Sequence, residues 1–171
     1  MARAARRTQI SAGLLVYRRT ADHMEVLLAR PGGPFWAKKD TGAWTIPKGL
    51  AESAADPDLL ATAQREFTEE TGFTAEGPFL PLRPVTQTSG KIVHAFACAG
   101  DFDPAELASN SFEIEWPPRS GRRRAFPEID RIGYFAIEEA MRKILVYQQP
   151  FIRELVATID APEEKIKNSR N

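Results

Sequence analysis

One helix constrains this chain more than any other stretch. Asp56 is a good N-cap, Pro57 suits the first helical position and Asp58 the positive end of the dipole. Gly72 can take the left-handed conformation that ends a last turn, so a helix is predicted over 56–72. At 3.6 residues per turn, Leu60, Ala63 and Phe67 form an apolar stripe and Leu59 widens it. Glu70 lies eleven residues beyond Leu59, about three full turns, so a carboxylate projects into the sector that should face a core. Glu66 and Glu69 flank it on one side at helical spacings.

An ionised carboxylate is not kept out of water without partners, and three of them this close raise one another's pKa. Two readings follow. Either the acidic residues are a solvated face with Arg65 as a surface partner, or a hard divalent cation joins them, Mg²⁺ or Mn²⁺, which prefers oxygen ligands. Helical angle alone leaves both open.

Around this helix the sequence alternates strand-like runs with further helices. Ile10–Tyr17 and Met24–Ala29 are β-like and separated by a polar turn, which predicts an antiparallel pair. PGGPFWAKKDTGA is a loop, and Ala43–Pro47 is expected to be a short strand delivering Lys48 and Gly49. Strands are expected over 79–87 and 91–99 with a turn at Ser89-Gly90. FEIEW alternates like a strand, PPRSGRRRAFP reads as an irregular basic loop, and Ile132–Ile137 as another strand. Glu138–Val146 and Pro150–Ile159 read as closing helices. The class is α/β around a mixed sheet.

Composition narrows the partners. The 171 residues suit one domain, predicted over 9–160 between a basic tail at 1–8 and a frayed tail at 161–171. Lys+Arg and Asp+Glu both number 23, which argues against a nucleic-acid coat or a polybasic membrane binder. No apolar run approaches a membrane span. MARAARR followed by ISAGLLVY has the outline of a targeting peptide, but Arg18 and Arg19 cut the run, and it is read as a tail entering the first strand. The one cysteine, Cys98, sits in an apolar run as a packing residue, and a reducing, cytoplasmic setting is expected. His23 is expected in an exposed turn and His94 as a hydrogen-bonded sheet residue, while Trp44 and Trp116 are expected to pack in the core or its rim.

The wider pattern favours the cation. PKG at 47–49 followed by REFTEETGF at 65–73 resembles the Nudix hydrolase signature, G-x5-E-x7-R-E-U-x-E-E-x-G-U, with U an aliphatic or aromatic residue. Arg65, Glu66, Phe67, Glu69, Glu70, Gly72 and Phe73 match every specified position of its second half. SAGLLVYRR, GAWTIPKG and FPEIDRIGYFAIEEA extend the likeness over most of 9–145. The resemblance implies an α/β/α sandwich around a mixed sheet, and hydrolysis of a nucleoside diphosphate linked to another group with Mg²⁺ or Mn²⁺. It implies Glu69 and Glu70 as metal ligands, Glu66 as ligand or general base, Arg65 as its orienting partner and the Gly49 carbonyl as a further ligand. Glu128, before the late strand, best fits the remaining acidic ligand, with Glu113 and Glu115 as weaker candidates.

The first half of the box departs from the pattern. Fifteen residues separate Gly49 from Arg65 where the signature has thirteen, and Ala55 stands where its first glutamate belongs, with Glu52 three residues early. The two additional residues are best placed after Asp56-Pro57. In the family that glutamate mainly braces the loop, a task Asp56 can partly assume.

PKG resembles the branches acting on dinucleoside polyphosphates, such as diadenosine tetraphosphate, or on diphosphoinositol polyphosphates. Lys48 is then a phosphate contact. Lys38 and Lys39 beside Trp36 can bracket a phosphate and stack a base. Arg122, Arg123 and Arg124 suit a grip on a long polyphosphate, with Arg123 at their centre, though a solvated basic loop fits equally. The expected partner is a small nucleotide or polyphosphate rather than a nucleic-acid polymer or a membrane, and a homodimer is compatible with the sequence. Two other readings remain: a Nudix-fold module that binds without hydrolysing, and an interaction domain with a solvated acidic helix.

Overall fold

The computed structural model describes residues 7–52 and 58–160. β1 (Ile10–Arg19) and β2 (Met24–Pro31) form the expected antiparallel pair. β3 (Lys48–Leu50) adds to β1, and α1 (Leu59–Thr71) follows. β4 (Leu80–Pro81) and β5 (Val85–Thr86) both pair antiparallel with β6 (Ile92–Ala99), which runs parallel to β1. β9 (Ile129–Ala136) closes the other side on β2, giving a seven-stranded mixed sheet in the order β4-β6-β1-β2-β9. β7 (Ser111–Glu115) and β8 (Arg123–Pro127) form a separate two-stranded hairpin.

The strand period sorts β1 between two cores. Ala12, Leu14 and Val16 face α1, where Ala63 and Phe67 are buried with Leu27, Ala29 and Cys98. Leu15 faces the other way, among Leu28, Val93, Ala95 and the helices α2 (Ile137–Lys143) and α3 (Gln149–Ile159). A central strand covered on both faces needs a near-continuous apolar run, and ISAGLLVY supplies it, with Ser11 the buried polar exception. The expected α/β/α sandwich is what forms. Among the described residues no helix is long and apolar enough to cross a membrane.

Several boundaries differ from expectation, each for a local reason. The N-cap of α1 is Asp58, whose carboxylate accepts the Ala61 N–H at 2.9 Å, so the helix begins at Leu59. Asp56, Pro57 and Ala55 lie outside the described residues, as do the tail at 161–171 and most of that at 1–8. Ala43–Pro47 is not a strand. Trp44 exchanges backbone hydrogen bonds with Lys143 and Leu145 around the exit of α2, and only Thr45 bridges to Ala29. The strand expected over 79–87 splits into β4 and β5, because Pro81 and Pro84 bring no N–H to a ladder.

The basic loop at 117–127 is in part strand: β8 pairs with β7 through Phe112↔Phe126, Ile114↔Arg124 and Glu115↔Arg123. The late strand starts three residues early, at Ile129, and Ile137 begins α2. α2 ends at Lys143, leaving Val146 to a 3-10 turn at Val146–Gln148. Gly72 ends α1 in the left-handed conformation, φ 81°, as expected.

Candidate active site

The acidic residues of α1 meet the loop before them through Lys48. The backbone N–H of Lys48 donates to Glu70 Oε2 at 2.9 Å, so the carboxylate in the apolar sector replaces part of its lost water with a main-chain donor. Glu70 is only 9% exposed. Burial, aided by the charges of Glu128 and Glu66, pushes its carboxyl up to about 8 against the pull of Lys48. The solvated-face reading does not survive at Glu70.

Glu66 lies against the loop from the other side. A methyl carbon on Gly49 would stand 2.0 Å from Glu66 Cδ, so only glycine lets the carboxylate sit there. Burial raises the Glu66 carboxyl, and Glu69 and Glu128 add to the rise while Arg65 opposes it. Arg65 Nη1 bridges Glu66 at 3.0 Å and Glu69 at 3.3 Å, an arginine between two of the carboxylates. Glu69 is more open, its side chain 41% exposed. Burial lowers the Lys48 ammonium, with Lys91 pushing the same way and Glu70 and Glu66 pulling against it.

Glu128 reaches this group by a backbone route. It directly precedes β9, and Pro31 pairs with Ile129 where β2 and β9 shift register. The Glu128 N–H donates to the Asn110 carbonyl at 2.7 Å, while the Asn110 N–H donates to the Glu69 carbonyl at 3.0 Å. The Ala108 N–H binds the Thr71 carbonyl at 2.9 Å, and Ser109 Oγ accepts the Ile129 N–H at 3.0 Å. Residues 108–110 therefore strap the end of α1 to the start of β9. Sequence reading missed this strap, and no side-chain pattern announces it, because most of its contacts are main-chain.

The remaining expected site residues divide. Lys39 Nζ lies 4.9 Å over the Trp36 ring and Lys38 is exposed beside them, and the turn meets the acidic group through its backbone at Glu128. Arg123 pairs with Glu113 at 3.5 Å and Glu115 accepts the Gly121 N–H, which occupies both weaker ligand candidates within the hairpin. Cys98 is buried and its thiol is pushed up to about 11 by that burial. Trp44 is buried, with Nε1 donating to Asp40 at 2.8 Å. Burial lowers the His94 imidazole.

Among the described residues, no three Asp, Glu, His or Cys side chains are gathered into a cation site as they stand. The chemistry of the donor set nevertheless fits a hard cation. Burial raises the Glu66 and Glu70 carboxyls and the charge of Glu128 adds to both, which a positive charge among these oxygen donors would relieve.

The NUDIX domain family model matches residues 7–155, which bears out the resemblance read from the sequence. No curated protein sequence is similar enough to the chain to count as a match. Among solved structures, the NUDIX domain of Shewanella oneidensis NrtR complexed with ADP ribose shares 13% identity at a TM-score of 0.60, covering 91% of each chain. A C. elegans Ap4A hydrolase binary complex shares 21% identity at a TM-score of 0.58, over 87% of this chain and 97% of that one. The E. coli ORF135 protein shares 21% at 0.54, over 91% and 94%.

Proposed function

This chain belongs to the NUDIX domain family and is a Nudix hydrolase, and on that premise we propose that it hydrolyses a phosphoanhydride in a nucleoside polyphosphate, most often a dinucleoside polyphosphate, with Mg²⁺ or Mn²⁺. The observation that carries the reading is Glu70: a carboxylate 9% exposed, held by the Lys48 N–H and facing the charges of Glu66 and Glu128. A surface helix has no use for such a group.

Glu66, Glu69, Glu70 and Glu128, with the Gly49 carbonyl, would hold the cation. Bound there, a divalent ion neutralises polyphosphate charge and makes a water easier to deprotonate. Glu66 accepts the proton of the attacking water, and Arg65 at 3.0 Å orients its carboxylate. Lys48, half-buried and within the fields of Glu70 and Glu66, would meet a phosphate with its ammonium. Lys38, Lys39 and Trp36 lie on an exposed turn where base and phosphate can be met together.

The test is hydrolysis of dinucleoside polyphosphates, nucleoside triphosphates and nucleotide sugars at fixed Mg²⁺ and Mn²⁺, with Glu70→Ala alongside. The expected result is metal-dependent turnover, cut by about 100-fold or more in the variant. A folded wild-type protein that binds these nucleotides and turns none over would overturn the proposal in favour of a binding module.

A further inference from the structure

The β7–β8 hairpin sorts its arginines by face. Residues directly opposite in an antiparallel pair share a face, so Phe112, Ile114, Arg124 and Phe126 lie on one side, and Glu113, Glu115 and Arg123 on the other. The Trp116 N–H donates to the Arg122 carbonyl at 2.8 Å, which continues the first face to Trp116 and Arg122. Arg123 is thereby committed to Glu113, whereas Arg122 and Arg124 have no ion-pair partner among the described residues. Arg124 lies 5.4 Å over the Phe126 ring.

The turn carrying Trp36 crosses this same face. Gly33 packs so closely on the Phe112 ring that a methyl carbon would approach it to 3.0 Å. Phe35 meets Trp116 edge-on, 5.5 Å between centroids, yet remains 63% exposed. An aromatic ring this open, with a second ring bracing it and two unpaired arginines on the shared face, matches a planar base attached to phosphates.

Its position relative to the carboxylates is equally specific. The Gly32 N–H donates to the Glu128 carbonyl at 2.9 Å, and a methyl carbon on Gly32 would strike the Pro127 carbonyl oxygen, so turn and hairpin are anchored beside Glu128. From Pro127 to Arg124 is three residues of strand, about 10 Å, and Trp116 lies five residues from Ser111, the partner of Pro127, about 17 Å. A group seated on Phe35 is therefore remote from the reacting bond, separated by a length of substrate rather than by one phosphate.

We propose that Phe35, braced by Trp116, stacks the second base of a dinucleoside polyphosphate, and that Arg122 and Arg124 bind the phosphates leading to it. This inference rests on the hydrolase reading above and makes the hairpin the element that favours a long substrate over a short one.

The experiment compares kcat/KM for diadenosine tetraphosphate and for ATP in the wild type, in Phe35→Ala and in the double variant Arg122→Ala/Arg124→Ala. All three substituted positions are exposed, so folding should be retained, and a melting curve for each variant checks it. Each variant should lower the ratio of the two values by about tenfold, through KM for the dinucleotide. An unchanged ratio in folded, active variants overturns the proposal. Equilibrium binding of diadenosine tetraphosphate, followed by tryptophan fluorescence, is measured in parallel. If the wild type hydrolyses neither nucleotide, the hydrolase reading fails and binding alone decides. Weaker binding in both variants then supports the stacking site, and equal binding overturns it.

Discussion

Glu66 rests against Gly49 so closely that a methyl group on the glycine would overlap the carboxyl carbon, at 2.0 Å. The contact joins β3 to α1 across the segment where the family pattern is interrupted, so Gly49 and Glu66 meet in space despite the two additional residues between them.

Gly49→Ala should therefore displace the Glu66 carboxylate. The expected outcome is a loss of turnover of about 100-fold with little loss of stability, because the atoms that must move end a flexible side chain. Steady-state kinetics and a urea melt on the same protein check both. A variant with wild-type kinetics would mean that Glu66 has room to move without consequence.

Glu69 and Glu128 are related through Asn110, whose backbone binds one by its N–H and the other by its carbonyl. Ser109 ties its side chain into that strap, accepting the Ile129 N–H and donating to the Asn110 carbonyl. Ser109→Ala leaves the Ile129 N–H without its partner and should cost about 1–2 kcal/mol. It should also weaken the gain in melting temperature produced by Mn²⁺, since Glu128 is then less firmly held. Calorimetric melts with and without Mn²⁺ separate the two effects, and an unchanged Mn²⁺ shift would assign Ser109 a purely structural part.

Glu70→Gln should separate stability from function. The amide oxygen can still accept the Lys48 N–H, and the cost of holding a carboxyl at about 8 is removed, so near neutral pH the metal-free variant should be as stable as the wild type or about 1 kcal/mol more so. Hydrolysis and stabilisation by Mn²⁺ should both be lost. A marked drop in metal-free stability would contradict the account of a carboxylate kept at a cost for binding.

Away from the site, Arg18 binds Glu25 and Asp101, each at 2.7 Å. Burial pushes the Glu25 carboxyl up, but hydrogen bonds from Arg18 and His23 outweigh it and hold the group below the usual carboxylate range. A carboxyl depressed in the folded state contributes stability above its unfolded pKa, which is lost as pH falls through its folded value. Glu25→Gln should cost about 1 kcal/mol near neutrality. The difference from wild type should shrink as pH falls below the carboxylate range, as denaturant melts across that range will read. A difference independent of pH would remove the ion pair as its source.

The sequence by itself determined the chemistry-bearing helix. Its period put Glu70 among apolar residues, Gly72 ended it, and the spacing of Arg65, Glu66 and Glu69 carried the family resemblance. These are short-range relations, set by 3.6 residues per turn and by backbone conformations that few residues adopt. The apolar run of β1 likewise marked a strand, and the structure shows both its faces covered.

Other features depend on what a segment meets. Trp44 bonds to the exit of α2, which ends beside it, and only Thr45 bridges to β2 at Ala29. Arg123 and Arg124 of the basic run become strand because Phe112 and Ile114 stand opposite Phe126 and Arg124. The closeness of Glu128 to Glu70, and the division of three consecutive arginines between an ion pair and an open aromatic face, are properties of register and chain crossing. Only the tertiary structure decided those, because strand pairing acts between residues far apart in sequence, and a shift of one position would turn every side chain to the opposite face.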